Sequence, residues 1–287
     1  MPNISVKPAE FYETQYNARA AIPDHPEIFA RWAAQSETVR RQHRCELDLA
    51  YGTASAERLD FFPCEQPDAP LLVFIHGGWW RSLDKSDFSF IAPAFTQAGV
   101  HVAVTNYTLA PQASIEQITL QQVAALAWLY RHADSLAFNR QRIVLAGHSA
   151  GAHLAAMLMT TLWPKAAPNL PADLVKGGIL LSGLYDLEPV QHAAFVNADL
   201  QLTPARIARL SPARLPLSHL TPFFTAVGAL ESSEFRRQNA LIGKAWSHAH
   251  GGDVLLPTAN HLTICDALAD PSHRLCQMAQ TLATNAA

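Results

Sequence analysis

The sequence has little charge and little cysteine, and each shortage excludes a class of protein. Charged residues make up 16% of the 287 residues, the formal net charge is −3, and no run of Lys or Arg stands out. A nucleic-acid-binding protein displays a basic patch, so we expect no nucleic-acid partner. Hydrophobic residues make up 49% of the chain, which is too many for a disordered protein and enough for one large core.

Long apolar runs are missing as well. The stretch from Met1 to Ala20 carries polar residues throughout and has no apolar region of the kind found in a signal peptide. The longest apolar stretches, such as Leu71–Ile75, are far too short to span a bilayer. We therefore expect a cytoplasmic protein without a membrane partner, and a homodimer is compatible with the sequence.

The cysteines and histidines form no metal-binding pattern. The cysteines are scattered and lie in no CxxC pair, so we expect free thiols at Cys45, Cys64, Cys265 and Cys276. The 13 histidines include no HExxH motif and no paired His/Cys spacing. We therefore expect neither a metal nor another cofactor.

Apolar runs of strand length alternate with helical patterns along most of the chain. The predicted strands are Arg44–Ala50, Arg58–Phe62, Leu71–Ile75, Val100–Thr105, Arg142–Ala146, Gly178–Leu181, Phe223–Val227 and Val254–Leu256. The predicted helices are Ile115–His132, Ala152–Leu162 (ended by Pro164), Glu234–His248 and Pro271–Leu282. This alternation indicates an α/β fold, with a mostly parallel sheet of about eight strands and helices on both faces.

Two segments interrupt the alternation. Residues 1–40 are expected to form a partly helical arm. Residues 187–220 contain several prolines and short helical pieces, which are typical of an insertion above the carboxyl edge of the sheet, where ligands bind. We predict a single domain over residues 1–287, with a small cap at 187–220.

The segment Gly147-His148-Ser149-Ala150-Gly151 matches GxSxG. It follows a predicted buried strand and opens a predicted helix, which is the setting of the nucleophile turn in α/β hydrolases. The helix N-terminus would direct free N–H groups at the reacting centre. We therefore predict that Ser149 is the nucleophile; the alternative is a tight turn that carries a surface serine.

A second glycine pair directly follows the predicted strand Leu71–Ile75, in His76-Gly77-Gly78-Trp79-Trp80. This sequence resembles the oxyanion loop of esterases. We predict that the backbone N–H groups of Gly78 and Trp79, with that of Ala150, stabilise the oxyanion. His76 is expected to brace the loop, and Trp79, Trp80 and His148 are candidate pocket residues. Core packing is the alternative for both tryptophans.

The general base and its acid partner should follow the last two strands. His261 lies in the loop after the last predicted strand, so it is the predicted base. Glu231 follows the preceding strand and is the preferred acid. Asp186, which follows the strand before that, is the alternative and could instead cap a turn or line the pocket.

These motifs resemble the kynurenine formamidase (arylformamidase) branch of the α/β-hydrolase superfamily, close to the hormone-sensitive-lipase-like esterases. Further segments similar to that branch are Tyr16–Arg19 with Ile22–Asp24, Asn106–Pro111, Ser182–Leu187, and Glu231–Phe235 with Gln238. In the last segment the resemblance implies that the first carboxylate is the triad acid, which again selects Glu231. Family members usually carry Asp at that position, so Glu must reach slightly farther.

The resemblance implies a serine hydrolase that removes a small acyl group through an acyl-enzyme, with N-formyl-L-kynurenine or another aryl formamide as the expected small-molecule substrate. Arg81 is a candidate contact for a substrate carboxylate, with an exposed structural role as the alternative. A broad short-chain carboxylesterase could carry the same motifs. A catalytically silent binding protein with this fold is the alternative of another class.

Overall fold

An eight-stranded sheet forms the centre of the computed structural model, which describes residues 7–286. The strands, in chain order, are β1 (Glu46–Ala50), β2 (Arg58–Phe62), β3 (Ala69–Ile75), β4 (His101–Thr105), β5 (Phe138–His148), β6 (Val175–Leu181), β7 (Phe223–Gly228) and β8 (His250–Leu256). Their spatial order is β1-β2-β4-β3-β5-β6-β7-β8. The pairs β1–β2 and β2–β4 are antiparallel, and the remaining pairs are parallel. The prediction of a mostly parallel sheet is confirmed.

Helices connect the strands and cover the sheet. The α-helices are α1 (Ala9–Tyr16), α2 (Ala18–Ala21), α3 (His25–Gln42), α4 (Ala92–Thr96), α5 (Ile115–His132), α6 (Ala150–Met159), α7 (Trp163–Ala166), α8 (Ala194–Leu200), α9 (Pro204–Leu210), α10 (Ser233–Ala245), α11 (Ile264–Ala269) and α12 (Arg274–Thr284). Short 3₁₀ helices lie at Lys85–Asp87, Ser89–Ile91, Pro189–His192 and Pro212–Arg214. Within residues 7–286, no helix is both long enough and apolar enough to cross a bilayer.

The apolar run of β3 is continuous because both faces of the sheet are buried. Leu71, Val73 and Ile75 pack into one hydrophobic core, together with residues of α5 and α6. Leu72 and Phe74 pack into the other, together with residues of α3, α4 and α12. Side chains alternate between the two faces of a strand, so a strand that is covered on both sides needs apolar residues at every position.

The strand order brings the candidate loops to one edge. The chain passes from β3 to β4 on one side and then crosses to β5 on the other, so the direction of winding reverses between β3 and β5. Ligands in open α/β sheets bind at such a switch point, outside the carboxyl ends of the strands. The HGGWW loop follows β3, and the GHSAG turn follows β5. The loops after β7 and β8 open at the same edge.

Several predicted bounds differ from the structure. The strand β5 extends over Phe138–His148, and β8 begins at His250, so both are longer than their apolar centres. The helix after the nucleophile turn ends at Met159, which contradicts the predicted stop at Pro164. Pro164 instead lies in the first turn of α7, because proline lacks an N–H group and the first turn of a helix does not need one.

The N-terminal arm and the segment 187–220 contact each other at the carboxyl edge. The backbone N–H of Phe195 donates to Oε1 of Glu13 at 3.0 Å, and the rings of Tyr12 and His192 stack at 5.2 Å. The predicted arm begins in residues 1–6, which lie outside the described residues. From Ala9 to Gln42 the described part of the arm is mostly helical.

Candidate active site

Ser149 lies in a tight turn between β5 and α6. Its backbone has φ 54° and ψ −117°, a region that non-glycine residues rarely occupy. A Cβ atom on Gly151 would lie 1.9 Å from the carbonyl oxygen of Ile75, and one on Gly147 would lie 2.4 Å from that of Gly151. The backbone of the turn is therefore packed too closely for any side chain at these two positions.

A chain of hydrogen bonds joins three side chains from three different loops. Nε2 of His261 lies 3.0 Å from Oγ of Ser149, and Nδ1 of His261 lies 2.7 Å from Oε2 of Glu231. The three residues are nearly buried, with exposed fractions of 2% for Ser149, 5% for His261 and 6% for Glu231. The distances are those of a nucleophile, a base and an orienting acid.

The second oxygen of Glu231 is also held in place. Its Oε1 accepts hydrogen bonds from Oγ of Ser182 at 2.5 Å and from the backbone N–H of Gly228 at 2.7 Å. A buried carboxylate needs such donors to remain charged. The longer side chain at this position therefore reaches His261 with both of its oxygens paired.

Asp186, the alternative acid, has different surroundings. Its Oδ1 forms an ion pair with Arg214 at 2.8 Å and accepts the backbone N–H of Glu188 at 3.2 Å. Both partners lie in the segment 187–220, so Asp186 ties that segment to the end of β6. In the part of the chain that the structure describes, the Asp186 side chain forms no hydrogen bond with His261.

The loop after β3 lies next to Ser149 and carries backbone donors without a partner among the described residues. Gly78, Trp79 and Trp80 all have positive φ angles, of 103°, 56° and 57°. Consecutive left-handed residues with bulky side chains are strained, and the surrounding fold must hold them in place. The N–H groups of Gly78, Trp79 and Ala150 donate no hydrogen bond to residues 7–286, so all three can bind an oxyanion.

The buried side chain of His76 holds this loop in place. Its Nε2 lies 3.0 Å from Oδ1 of Asn106, its Nδ1 lies 2.8 Å from the carbonyl oxygen of Gly77, and its ring stacks on Tyr107 at 4.4 Å. Burial lowers the pKa of His76, so the ring is held neutral. These contacts fix the loop backbone at its first turn.

Trp79 lies where three parts of the chain meet. Its ring packs edge-on against Tyr16 of the arm at 6.0 Å and against Phe195 of the segment 187–220 at 5.5 Å. It also approaches Phe235 of α10 at 6.4 Å. Phe235 in turn lies against the ring of His261 at 4.1 Å. The ring of Phe235 therefore contacts both Trp79 and His261.

Trp80 and His148, the other two predicted pocket residues, are almost fully buried. Trp80 packs edge-on against His153 of α6 at 4.9 Å. Nε2 of His148 lies 2.6 Å from the carbonyl oxygen of His261. Burial, and then the neighbouring His261, lowers the pKa of His148 to about 3, so its ring is neutral and donates to this carbonyl. His148 thus holds the backbone of the residue that contacts Ser149.

A cavity of about 200 Å³ opens beside His261 and Glu231. The arm forms one wall, from Gln15 to Asp24, and Phe235 and Asn260 lie opposite. The contribution of the arm to the site is not visible in the catalytic motifs. The signal in the sequence is the segment Tyr16–Arg19, which only the family resemblance picked out.

Comparisons with known proteins agree with this geometry. A family model described as BD-FAE matches residues 59–167. The crystal structure of a thioesterase candidate from Silicibacter sp. TM1040 superposes with a TM-score of 0.82 at 29% identity, covering 96% of this chain and 98% of that one. An esterase from Pyrobaculum calidifontis superposes with a TM-score of 0.72 at 17% identity, covering 96% of each chain. The protein therefore has the α/β-hydrolase fold.

Proteins of similar sequence identify the family to which the chain belongs. The kynurenine formamidase of Danio rerio is 33% identical over 258 residues, which cover 85% of this chain and 83% of that protein. The kynurenine formamidase of Salmo salar is 32% identical over 256 residues, with the same coverage. The chain belongs to the kynurenine formamidase family.

Proposed function

We propose that the protein hydrolyses N-formyl-L-kynurenine or a similar aryl formamide, with Ser149 as nucleophile, His261 as general base and Glu231 as the acid that orients it. The observation that carries this proposal is the continuous hydrogen-bonded chain Ser149–His261–Glu231 beside three N–H groups without a partner. The family membership supports the choice of a formamide.

In the first half of the reaction, Oγ of Ser149 attacks the formyl carbon while Nε2 of His261 takes the serine proton. The carbonyl oxygen becomes an oxyanion and accepts hydrogen bonds from the N–H groups of Gly78, Trp79 and Ala150. Glu231 stabilises the imidazolium through Nδ1. His261 then gives the proton to the leaving amine, and the C–N bond breaks to leave a formyl-serine.

In the second half, a water molecule repeats the sequence. His261 takes a proton from the water as its oxygen attacks the formyl carbon, and the bond to Oγ of Ser149 breaks as His261 returns that proton to the serine. The products are the aryl amine and formate. Every proton transfer uses His261, so no metal or other cofactor is required by these steps.

The choice of substrate depends on the walls around Trp79. We propose that residues 1–287 form one domain in which residues 187–220 act as a cap, and that this cap and the arm enclose the aromatic leaving group. The two contacts of Trp79, with Tyr16 and Phe195, support this enclosure. We propose Trp79 as the pocket wall, and Trp80 and His148 as the packing behind it.

The second candidate function is a broad short-chain carboxylesterase, which the esterase-like superposition favours. The two functions differ in the leaving group and in the tolerated acyl length. A catalytically silent binding protein is disfavoured because all three positions of the hydrogen-bonded chain are filled.

The test compares kcat/KM for N-formyl-L-kynurenine with kcat/KM for p-nitrophenyl acetate and p-nitrophenyl butyrate. A formamidase with a small acyl pocket should prefer the formamide and should disfavour butyrate against acetate by about tenfold or more. The Ser149→Ala variant is the control for uncatalysed turnover. If formylkynurenine is untouched while butyrate turns over well, the esterase function replaces this proposal.

A further inference from the structure

Arg19 of the arm is tied to the oxyanion loop. Its Nη2 donates to Oγ of Ser82 at 2.7 Å, and Oγ of Ser82 donates to the carbonyl oxygen of Gly78 at 2.9 Å. Gly78 is the residue whose N–H group we assign to the oxyanion. Two hydrogen bonds therefore connect the guanidinium of Arg19 to the carbonyl oxygen of Gly78 in the loop after β3.

Two arginines lie near this loop, and only one of them pairs with a carboxylate. Arg81, from the same loop, forms an ion pair with Asp199 of the cap at 2.6 Å. Arg19 forms no ion pair with any carboxylate of residues 7–286. Partial burial, and then the positive charge of Arg81, lowers the pKa of Arg19. Of the charges of Arg19, Arg81 and Asp199, one positive charge is therefore in excess.

The excess charge lies beside the aromatic cluster over the site. The guanidinium of Arg81 lies over the ring of Phe195 at 5.7 Å, and that ring meets Trp79 at 5.5 Å. Arg19 lies over the ring of Phe29 at 5.2 Å. Arg19, Trp79, Arg81 and Phe195 thus form the site rim, where the arm, the oxyanion loop and the cap meet.

The ion pair with Asp199 occupies Arg81, the residue that the sequence suggests for a substrate carboxylate. Arg19 has five N–H donors, of which one is used for Ser82. A guanidinium that lacks an acidic partner can bind a carboxylate through two parallel hydrogen bonds. Among the described residues of the site rim, Arg19 is therefore an exposed guanidinium without an acidic partner, and it can bind an anion.

We propose that Arg19 binds a carboxylate on the leaving-group part of the substrate, so that the enzyme selects aryl formamides or aryl esters that bear a carboxylate over those that lack one. The inference rests on the proposed hydrolysis at Ser149, but it holds for either kind of acyl bond. Arg19 is then a specificity residue, and Arg81 with Asp199 fixes the cap beside it.

Two matched pairs of substrates test the proposal. The first pair is N-formyl-L-kynurenine and 2′-formamidoacetophenone, which lacks the amino-acid group. The second pair is 3-acetoxybenzoate and phenyl acetate. For Arg19→Gln we expect kcat/KM to fall by about 10- to 100-fold on the carboxylate-bearing member of each pair, mainly through KM, and to change less than about twofold on the member without a carboxylate.

Three further variants separate binding from bracing. Arg19→Lys keeps the charge without the planar fork and should restore part of the selectivity. Ser82→Ala removes the bond to Gly78 and also the acceptor of the Arg19 hydrogen bond, so it should lower kcat/KM on every substrate, including those without a carboxylate that Arg19→Gln leaves nearly unchanged. Arg140→Gln, at a half-buried arginine on β5 paired with Asp134, should leave the ratio within each pair unchanged.

A binding measurement provides a readout that does not depend on turnover. In the Ser149→Ala background, calorimetry with N-formyl-L-kynurenine should give a Kd that Arg19→Gln raises by about 10- to 100-fold. If Arg19→Gln instead lowers kcat/KM equally for substrates with and without a carboxylate, or changes neither, the carboxylate site is refuted. If the formamides are inert but the ester pair still depends on Arg19, the formamidase proposal fails and the carboxylate site stands.

Discussion

The nucleophile turn and the site rim differ in how far apart in the chain their contacting residues lie. Residues 147–151 fold against β3 through backbone contacts so close that the two outer positions admit only glycine. The site rim joins the arm at Arg19, the oxyanion loop at Trp79 and Arg81, and the cap at Phe195 through side-chain contacts alone. The turn is therefore fixed by the backbone, and the rim by packing that single substitutions can alter.

This difference assigns separate tasks to the two regions. Bond cleavage requires the reacting atoms to be held within a fraction of an ångström, which a closely packed backbone provides. Selection among leaving groups requires only favourable contacts, which side chains on the arm and the cap provide. Substitutions in the turn should therefore abolish the reaction, and substitutions in the rim should change its substrate preference.

The strongest test of this comparison is Ser149→Ala. We expect kcat to fall by about 10⁴-fold or more, because the variant lacks the hydroxyl group that we propose forms the acyl-enzyme. The thermal unfolding temperature should stay close to that of the native protein, since alanine keeps the backbone of the turn. A purified variant that retains near-normal activity would place the nucleophile elsewhere.

Glu231→Gln and Asp186→Asn sharpen the comparison, because both carboxylates are nearly buried but only Glu231 contacts His261. Glu231→Gln should lower kcat by about 10³- to 10⁴-fold, because a neutral amide no longer stabilises the imidazolium. Asp186→Asn should lower it by less than about tenfold, because it only weakens the ion pair with Arg214. Rates are to be compared at equal folded fractions; a larger loss for Asp186→Asn would reverse the assignment.

The smallest effect expected is on stability and involves two histidines. Burial lowers the pKa of His148 to about 3 and that of His153 to about 4, whereas both protonate near 6.5 in an unfolded chain. Their contribution to stability is therefore complete above about pH 6.5 and is lost as pH falls toward the folded values. Between pH 7 and 5, each should lower the free energy of unfolding by about 2 kcal/mol.

Urea unfolding of His148→Gln and His153→Gln measures this contribution. Each variant should show a shallower decline of the unfolding free energy between pH 7 and 5 than the native protein, whatever its stability at pH 7. Glutamine at position 148 can still donate to the carbonyl oxygen of His261, which limits the disturbance at the base. Slopes identical to that of the native protein would show that neither histidine is held neutral by the fold.

Much of the fold follows from local patterns in the sequence. Continuous apolar runs located the strands, because a sheet that is covered on both faces needs apolar residues at every position, and α5 was predicted with its observed bounds. The ends of helices and strands do not follow from local patterns alone. Pro164 was predicted to end the helix after Ser149 but lies in the first turn of α7, because the same residue suits both positions and tertiary packing selects one.

The candidate catalytic residues were predicted because their chemistry constrains short segments. Glycines flank Ser149 where backbones nearly touch, and His261 and Glu231 follow strands whose order brings their carboxyl ends together. The surroundings of Trp79, Trp80, Arg81 and Arg19 had no such local signature. Whether an indole faces a pocket or the core depends on elements far away in the chain, such as those that carry Phe195 for Trp79 and His153 for Trp80.

The sequence by itself determined the α/β alternation, the strained serine turn and the chain positions of the candidate base and acid. These features depend on side-chain periodicity and on close backbone contacts within a few residues. Only the tertiary structure decided that Asp186 pairs with Arg214, that His148 holds the backbone of His261, and that Arg81 is neutralised by Asp199 while Arg19 is not. Ion pairing and burial depend on distances between residues that the fold, and not the local sequence, brings together.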